Sequence, residues 1–302
     1  MRVCCITNDL EATSIYGEPY RKDIAENVLN EALPAVLALY RKYNVKATFY
    51  CLASYVEDYP ELVRLIEADG HEIASHGLIH NSDKAFDLLT YDEQVEHLRK
   101  SKEILEKYSK HEVVSFRAPA LRVNEDTPRA LVETGFKTDS SVASQRLDAF
   151  MSLGTKRKMQ WIKAPRGLYI ASSANLARPD GGGKILEVPV SAFGLPYIST
   201  LMRISKTLIG MTRWFLYLET KKTNTKVVNF LFHPSEAITI DGTKGVIQNR
   251  SKNRLTHLLS DVIRMKLKRK NLGPESLDLL EKEIIFWKNK GYEFKTVREL
   301  NK

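Results

Sequence analysis

Four short motifs in this chain carry side chains able to bind a metal ion or move a proton. Asp9 and Glu11 stand two residues apart at the end of an apolar run. In extended backbone, alternate residues share a face, so both carboxylates point the same way. His76 and His80 stand four apart, a spacing that puts two imidazoles on one side of a helical turn and suits one metal ion. Arg117 opens the triplet Arg117-Ala118-Pro119, and His233 sits between Phe232 and Pro234. Each motif alone has a plainer reading. The histidine pair could be chance among seven histidines, the carboxylates a solvated strand end, Arg117 a surface cation and His233 a core histidine. Six such groups, all at strand ends, are harder to explain that way.

The elements that must position them follow from apolar periodicity. Strands are expected over residues 3–7, 46–51, 72–75, 113–117, 185–190, 227–232 and 292–296, where β-branched and aromatic residues cluster. Helices fall between them. Residues 27–43 carry a broad apolar stripe, and residues 60–68 end before Gly70. Thr90-Tyr91-Asp92-Glu93 is a capping box opening a helix toward Tyr108. Thr127-Pro128 starts another that Gly135 stops, and Pro274 and Gly291 bracket the last. Strand and helix alternation predicts an α/β fold with parallel strands, a single barrel-like domain over residues 1–302. In such a barrel all strand C-termini lie on one face, so the four motifs are expected to converge there. The stretch 140–185 reads as irregular, with Pro179-Asp180-Gly181-Gly182-Gly183 a flexible loop inside it.

This set resembles the polysaccharide deacetylase family, also called the NodB-homology fold or carbohydrate esterase family 4. The resemblance rests on Thr7-Asn8-Asp9-Leu10-Glu11, on residues 70–80, on Ser115-Phe116-Arg117-Ala118-Pro119 and on Phe230-Leu231-Phe232-His233-Pro234. Secondary matches are residues 135–141, 186–190 and 291–300. The resemblance implies a distorted (β/α) barrel of seven or eight strands and one divalent metal, most often zinc, with cobalt, nickel or manganese as substitutes. It implies Glu11, His76 and His80 as metal ligands, Asp9 as catalytic base beside Arg117, and His233 as general acid. The implied reaction is hydrolysis of the acetamido group of an N-acetylated sugar to acetate and amine, with the backbone N–H of Ala120 a candidate oxyanion donor. Two positions depart from the pattern. Leu10 replaces the second of two adjacent aspartates, leaving Glu11 as the second carboxylate. Ala120 stands where an aromatic usually follows Arg-x-Pro. The family's fourth, Asp/Trp motif has no clear counterpart, and Trp161 is a candidate groove residue. Relatives of this fold also hydrolyse ureides and formamides, which leaves a different C–N bond as the alternative substrate. A non-catalytic polyanion- or membrane-binding protein is the remaining one.

The 302 residues carry a net charge of +9, unevenly spread. Residues 1–150 hold 18 Lys/Arg against 25 Asp/Glu, and residues 151–302 hold 28 against 12. The basic half suggests an acidic partner or a solvated cationic surface. Residues 201–218 place Leu201, Ile204, Leu208, Met211, Phe215 and Leu218 on one stripe, with Arg203, Lys206 and Arg213 opposite. Residues 253–270 repeat the theme. Either is a barrel helix packing its stripe on the strands, or an interfacial helix on anionic lipid that would hold a phosphate-linked carrier or membrane surface. Nucleic-acid binding has only the Lys/Arg excess behind it, and the oligomeric state is open. Cys4, Cys5 and Cys51 read as reduced, buried thiols. No apolar run has the length of a signal-peptide core or a spanning helix, so a cytoplasmic enzyme, peripheral to the membrane at most, is expected.

Overall fold

The computed structural model describes residues 2–12, 21–80, 85–145, 156–223, 226–239, 267 and 269–301. The second basic stretch, 253–270, therefore lies almost entirely outside the described residues.

All seven expected strands form, as β1 Val3–Leu10, β2 Ala47–Cys51, β3 Glu72–Ser75, β4 Ser115–Phe116, β8 Leu186–Glu187, β11 Val228–Phe232 and β12 Glu293–Phe294. The sheet adds strands the sequence reading left out. They are β5 Thr138–Asp139 and the pair β6 Tyr169–Ser172 and β7 Asn175–Pro179. The order is β11-β1-β2-β3-β4-β5-β8-β6-β7. It is parallel from β11 to β8, β6 and β7 being antiparallel additions, and β12 also pairs with β1. The stretch 140–185 thus holds a hairpin. The segment after β7 is tightly placed at Gly183, where a Cβ would stand 1.6 Å from the Ala171 carbonyl oxygen.

Sheet twist curls the parallel strands into an open barrel. The seam between β8 and β11 is bridged by single contacts. Ser191 N–H donates to Asn229 O at 3.0 Å, and Asn229 N–H donates to Ser191 Oγ at 2.9 Å. Helices cover the outside: α1 Lys22–Asn27, continued through a π turn into α2 Leu33–Tyr43, then α3 Ala53–Asp58, α4 Glu61–Ala68 and α5 Tyr91–Tyr108. They are followed by α6 Thr127–Glu133, α7 Ser199–Ile204, α8 Lys206–Lys222 and α9 Pro274–Asn289. The main core lies between strands and helices, where Cys4, Ile6, Phe49, Ile73, Phe116 and Phe230 meet Val36, Tyr40, Leu98 and Trp287. The Thr90 capping box forms as expected, with Glu93 N–H donating to Thr90 Oγ1 and Thr90 N–H to the Glu93 carboxylate.

Inside the curl a smaller cluster, Tyr50, Ala74, Val188 and Val297, fills the axis. The chain's last turn stoppers the end where the strands begin. Val297 N–H donates to Thr48 Oγ1 at 2.8 Å, and Arg298 N–H to Glu72 Oε2 at 2.9 Å. Polar inward side chains therefore line the barrel from its plugged end to the opposite mouth. The three cysteines are buried and free.

One expectation is corrected here. Residues 201–218 are not one helix: the chain breaks at Ser205 into α7 and α8. Ser205 adopts extended backbone and its hydroxyl accepts from Leu208 N–H, capping α8. Arg203 is buried and Arg213 partly buried. They turn inward to Glu236 and Glu283, at 2.7 and 2.8 Å.

Candidate active site

The four motifs meet at the strand C-termini. On β1, Thr7 and Asp9 face the barrel interior, while Ile6, Asn8 and Leu10 face the helices. Glu11 extends the inward set one step past the strand. Asp9 is 4 % exposed, and its two oxygens have different surroundings. Oδ1 accepts from Arg117 Nη1 at 2.8 Å. Oδ2 stands 3.9 Å from His76 Nε2 and 3.9 Å from His233 Nε2.

Arg117 is fully buried and every arm is engaged. Nε donates to Ser140 O, and Nη2 donates to Thr7 Oγ1 and Ser140 Oγ, at 2.8–3.0 Å. The Tyr50 ring lies under the guanidinium, 4.2 Å from its carbon. Thr7 and Ser140 are themselves held by Asn229: Thr7 Oγ1 donates to Asn229 Oδ1, and Asn229 Nδ2 donates to Ser140 Oγ. A guanidinium locked on four sides offers Asp9 one hydrogen bond and a fixed charge. Burial by itself would push the Asp9 carboxyl up. The fixed charge and hydrogen bond of Arg117 outweigh it and hold that carboxyl below the usual range.

His76 and His80 are not on a helical turn, contrary to the spacing argument. They lie on the loop leaving β3, with ring centroids 6.4 Å apart. Gly77 makes the bend at φ +82°, and a Cβ there would stand 2.8 Å from His97 Nε2. That histidine accepts from Leu78 N–H at 2.7 Å and fixes the loop from behind. His76 Nδ1 lies 2.8 Å from the carbonyl oxygen of Arg117. A carbonyl can only accept, so Nδ1 carries the proton and Nε2 presents its lone pair. Burial lowers the His76 pKa, which favours the neutral ring.

Glu11 Oε2 faces both rings, 4.0 Å from His76 Nε2 and 3.8 Å from His80 Nε2. It is buried and has no hydrogen-bond partner among the described residues. An orphaned carboxylate oxygen before two imidazole nitrogens fits a divalent cation, for which a tetrahedral site spaces N and O donors roughly 3.4 Å apart. Among the described residues no three His, Cys, Asp or Glu side chains are drawn in tightly enough to count as a formed metal site. The two separations of Glu11 Oε2 from the imidazole nitrogens are about half an ångström wide of that spacing.

Two residues absent from the sequence-level set complete the pocket. Ser199, at the start of α7, places Oγ 3.4 Å from His233 Nδ1. Glu236 Oε1 lies 3.8 Å from the same nitrogen and is anchored by Arg203. Glu236 is three residues past His233 on one turn, a spacing that could have flagged it. His80 and His233 are the open side of the pocket, their side chains 29 % and 25 % exposed. Ala120 is exposed at the rim, in left-handed backbone at φ 53°, followed by Leu121 at φ 55°. Trp161 is buried at 3 % and lines a neighbouring cleft with Arg122, Asn124 and Leu176.

Residues 23–138 match the family model for polysaccharide deacetylase. The matched segment contains His76, His80 and Arg117. Over these residues the chain is similar to the polysaccharide deacetylase family. It is 27% identical over 128 residues to a peptidoglycan deacetylase of Helicobacter pylori, covering 42% of this chain and 43% of that one. It is 32% identical over 106 residues to a peptidoglycan-N-acetylglucosamine deacetylase of Bacillus cereus, covering 35% and 47%. The chain therefore spans less than half the length of these curated relatives. Two solved structures share the fold across 99% of this chain. A probable polysaccharide deacetylase of Pseudomonas aeruginosa aligns with a TM-score of 0.61 at 15% identity over 89% of its length. An allantoinase aligns with a TM-score of 0.62 at 13% identity over 88%. The expected α/β barrel-like fold is thus borne out. No described helix is long and apolar enough to cross a membrane.

Proposed function

We propose that this chain, acting as one catalytic unit, is a metal-dependent hydrolase that removes the N-acetyl group from an N-acetylated sugar. The sugar would belong to a polysaccharide or to a lipid- or nucleotide-linked glycan precursor. The observation that carries the reading is Asp9: one oxygen is fixed by a buried arginine, and the other faces two imidazoles in an open pocket. Peptidoglycan and chitooligosaccharide deacetylases among the relatives support the substrate class.

In this reading Glu11 Oε2, His76 Nε2 and His80 Nε2 hold one divalent cation, zinc or a substitute. A cation so held supplies Lewis acidity, which in zinc enzymes lowers the pKa of water to about 7. The chain's own groups do the proton transfers. Arg117 keeps Asp9 ionised, so Oδ2 can accept the proton of the attacking water. His233 Nε2 returns a proton to the departing nitrogen, giving a free amine and acetate. Ser199 and Glu236 behind Nδ1 orient the ring and balance its charge when protonated. Arg203 prevents Glu236 from turning into the pocket.

A second reading has one observation behind it. Position 120 carries an alanine and offers no ring to a sugar, which would admit a smaller amide such as a ureide or formamide. The test is a substrate panel with product analysis. Purified protein with added zinc or cobalt is given chitooligosaccharide, peptidoglycan, a nucleotide-linked N-acetylhexosamine, allantoin and a formamide. Acetate released from an N-acetylated sugar supports the proposal. Turnover of allantoin or the formamide alone would replace it with the second reading.

A further inference from the structure

The outer face of α8 is apolar where a barrel helix is normally polar. Its inward positions are Ile209, Thr212, Leu216 and Thr220. Its outward positions are Leu208, Met211, Trp214, Phe215 and Leu218, between 38% and 52% exposed. The intervals three, four, three between Leu208, Met211, Phe215 and Leu218 align them in one stripe. Phe193, from the short strand β9 Ala192–Phe193, is 44% exposed and stacks on Phe215 with centroids 4.3 Å apart. Six of the twelve large hydrophobic side chains exposed among the described residues thus share one patch.

The orientation of this helix is pinned. Arg213 pairs with the buried Glu283, and Thr220 Oγ1 bonds to the Tyr292 hydroxyl. Turning the stripe inward would strand the Glu283 carboxylate in the core, at a cost far above that of an exposed leucine. The apolar face is therefore a fixed feature of the surface, and patches of this kind mark interaction sites.

The charges around it select the partner. Lys206 at the start of α8 and Lys221 and Lys222 at its end are exposed, and Lys290 stands 6.0 Å from the Trp214 ring. Glu219 is the only acidic residue of the helix, and it is tied to Arg166 and Lys226. The rim of the helix is thus cationic at both ends. A second copy of the chain fits poorly. Pairing two such helices antiparallel sets Lys206 against Lys221 and Lys222, and pairing them parallel sets each lysine against itself. An anionic bilayer fits both features. Its acyl boundary takes the apolar stripe and its phosphates take the lysines. At 17 residues the helix is about 25 Å long and would lie in the plane of the interface.

We propose that the outer face of α8, with Phe193, docks this protein on a membrane of anionic phospholipid. The proposal stands apart from the catalytic reading.

Trp214 makes it directly readable. Of the three tryptophans, Trp161 and Trp287 are buried at 3% and 0%, while Trp214 is 48% exposed. The full chain is mixed with vesicles of phosphatidylcholine alone, or of phosphatidylcholine with phosphatidylglycerol, at low salt. Sedimentation with the anionic vesicles and a blue shift of tryptophan emission are expected, with little of either on phosphatidylcholine. Phe215→Ser with Leu218→Ser should abolish sedimentation. Lys221→Gln and Lys222→Gln should each weaken it about fivefold. Trp214→Phe should remove the shift and keep the binding. All these positions are at the surface, and circular dichroism checks that the variants fold. Absence of sedimentation with anionic vesicles overturns the proposal, as does undiminished binding by the Phe215→Ser, Leu218→Ser variant. A blue shift that grows with protein concentration alone, together with a dimer in the ultracentrifuge, would assign the face to a second copy instead.

Discussion

Arg117→Met is the substitution that asks most of this structure. Methionine fills much of the arginine's volume but leaves Asp9 in a buried site with its only strong counter-charge gone. Ser140 O, Ser140 Oγ and Thr7 Oγ1 lose a donor at the same time. Breaking a buried ion pair by removing one partner costs about 3–5 kcal/mol. For a chain of this size, each kcal/mol lowers the melting temperature by about 2 °C, so a fall of about 6–10 °C is expected. The second consequence is chemical. With Arg117 gone, burial dominates the Asp9 carboxyl and pushes it up, so the proposed base is disfavoured as an anion and activity is expected to fall with it. A double-mutant cycle separates the pair from its surroundings. Asp9→Asn should cost several degrees in the wild-type background and much less in the Arg117→Met background, because there it removes an already unpaired charge. Thermal unfolding by circular dichroism on all four proteins gives the answer. A fall of under about 2 °C for Arg117→Met, or simple additivity in the cycle, would refute the reasoning.

Three more outcomes follow from the same contacts. Glu187 is buried and raised well above the carboxylate range by burial and by the charge of Asp139. A raised folded-state pKa gives stability that is full at low pH and lost as pH rises through it. Glu187→Gln should therefore flatten the fall in melting temperature between pH 5 and pH 9, and an unchanged slope would count against the buried pair. Gly77→Ala should unfold or displace the histidine loop, since the residue sits at φ +82° with His97 at 2.8 Å from the added carbon. Loss of zinc binding in calorimetry, with the bulk melting behaviour retained, is the expected signature. Glu236→Gln should reduce kcat more than KM, because the side chain acts on His233 and not on the sugar. Equal effects on both would show that it serves the fold alone.

Much of this architecture could be read before any coordinates, and the reasons are physical. The strands that were legible are those with several apolar residues in a row, such as Val228–Phe232. β5 has two residues, Thr138 and Asp139, both polar and both buried, so hydropathy gives no signal there. The hairpin of β6 and β7 was missed because Ser172, Asn175 and Pro179 read as loop chemistry. Asp9, Glu11, His76, His80, Arg117 and His233 were all visible as strand-end polar groups, and they do meet. What could not be seen was their support. Asn229 inside an apolar strand was the one anomaly that could have announced the cradle of Thr7, Ser140 and Arg117. The direction of the α8 stripe was open for a different reason. Periodicity shows which residues share a face but not which way that face points. That was decided by Arg203 and Arg213, whose partners Glu236 and Glu283 lie 33 and 70 residues away in sequence.

The central claim is that a divalent cation held by Glu11, His76 and His80 and a base at Asp9 together hydrolyse an N-acetyl group. Acetate release from chitooligosaccharide by chelator-treated protein, before and after zinc or cobalt is returned, tests it most directly, with Asp9→Asn measured in parallel. No acetate is expected after chelation, with recovery when the metal returns, and none from Asp9→Asn at any metal concentration. Full activity in the presence of chelator, or wild-type rates from Asp9→Asn, would contradict it.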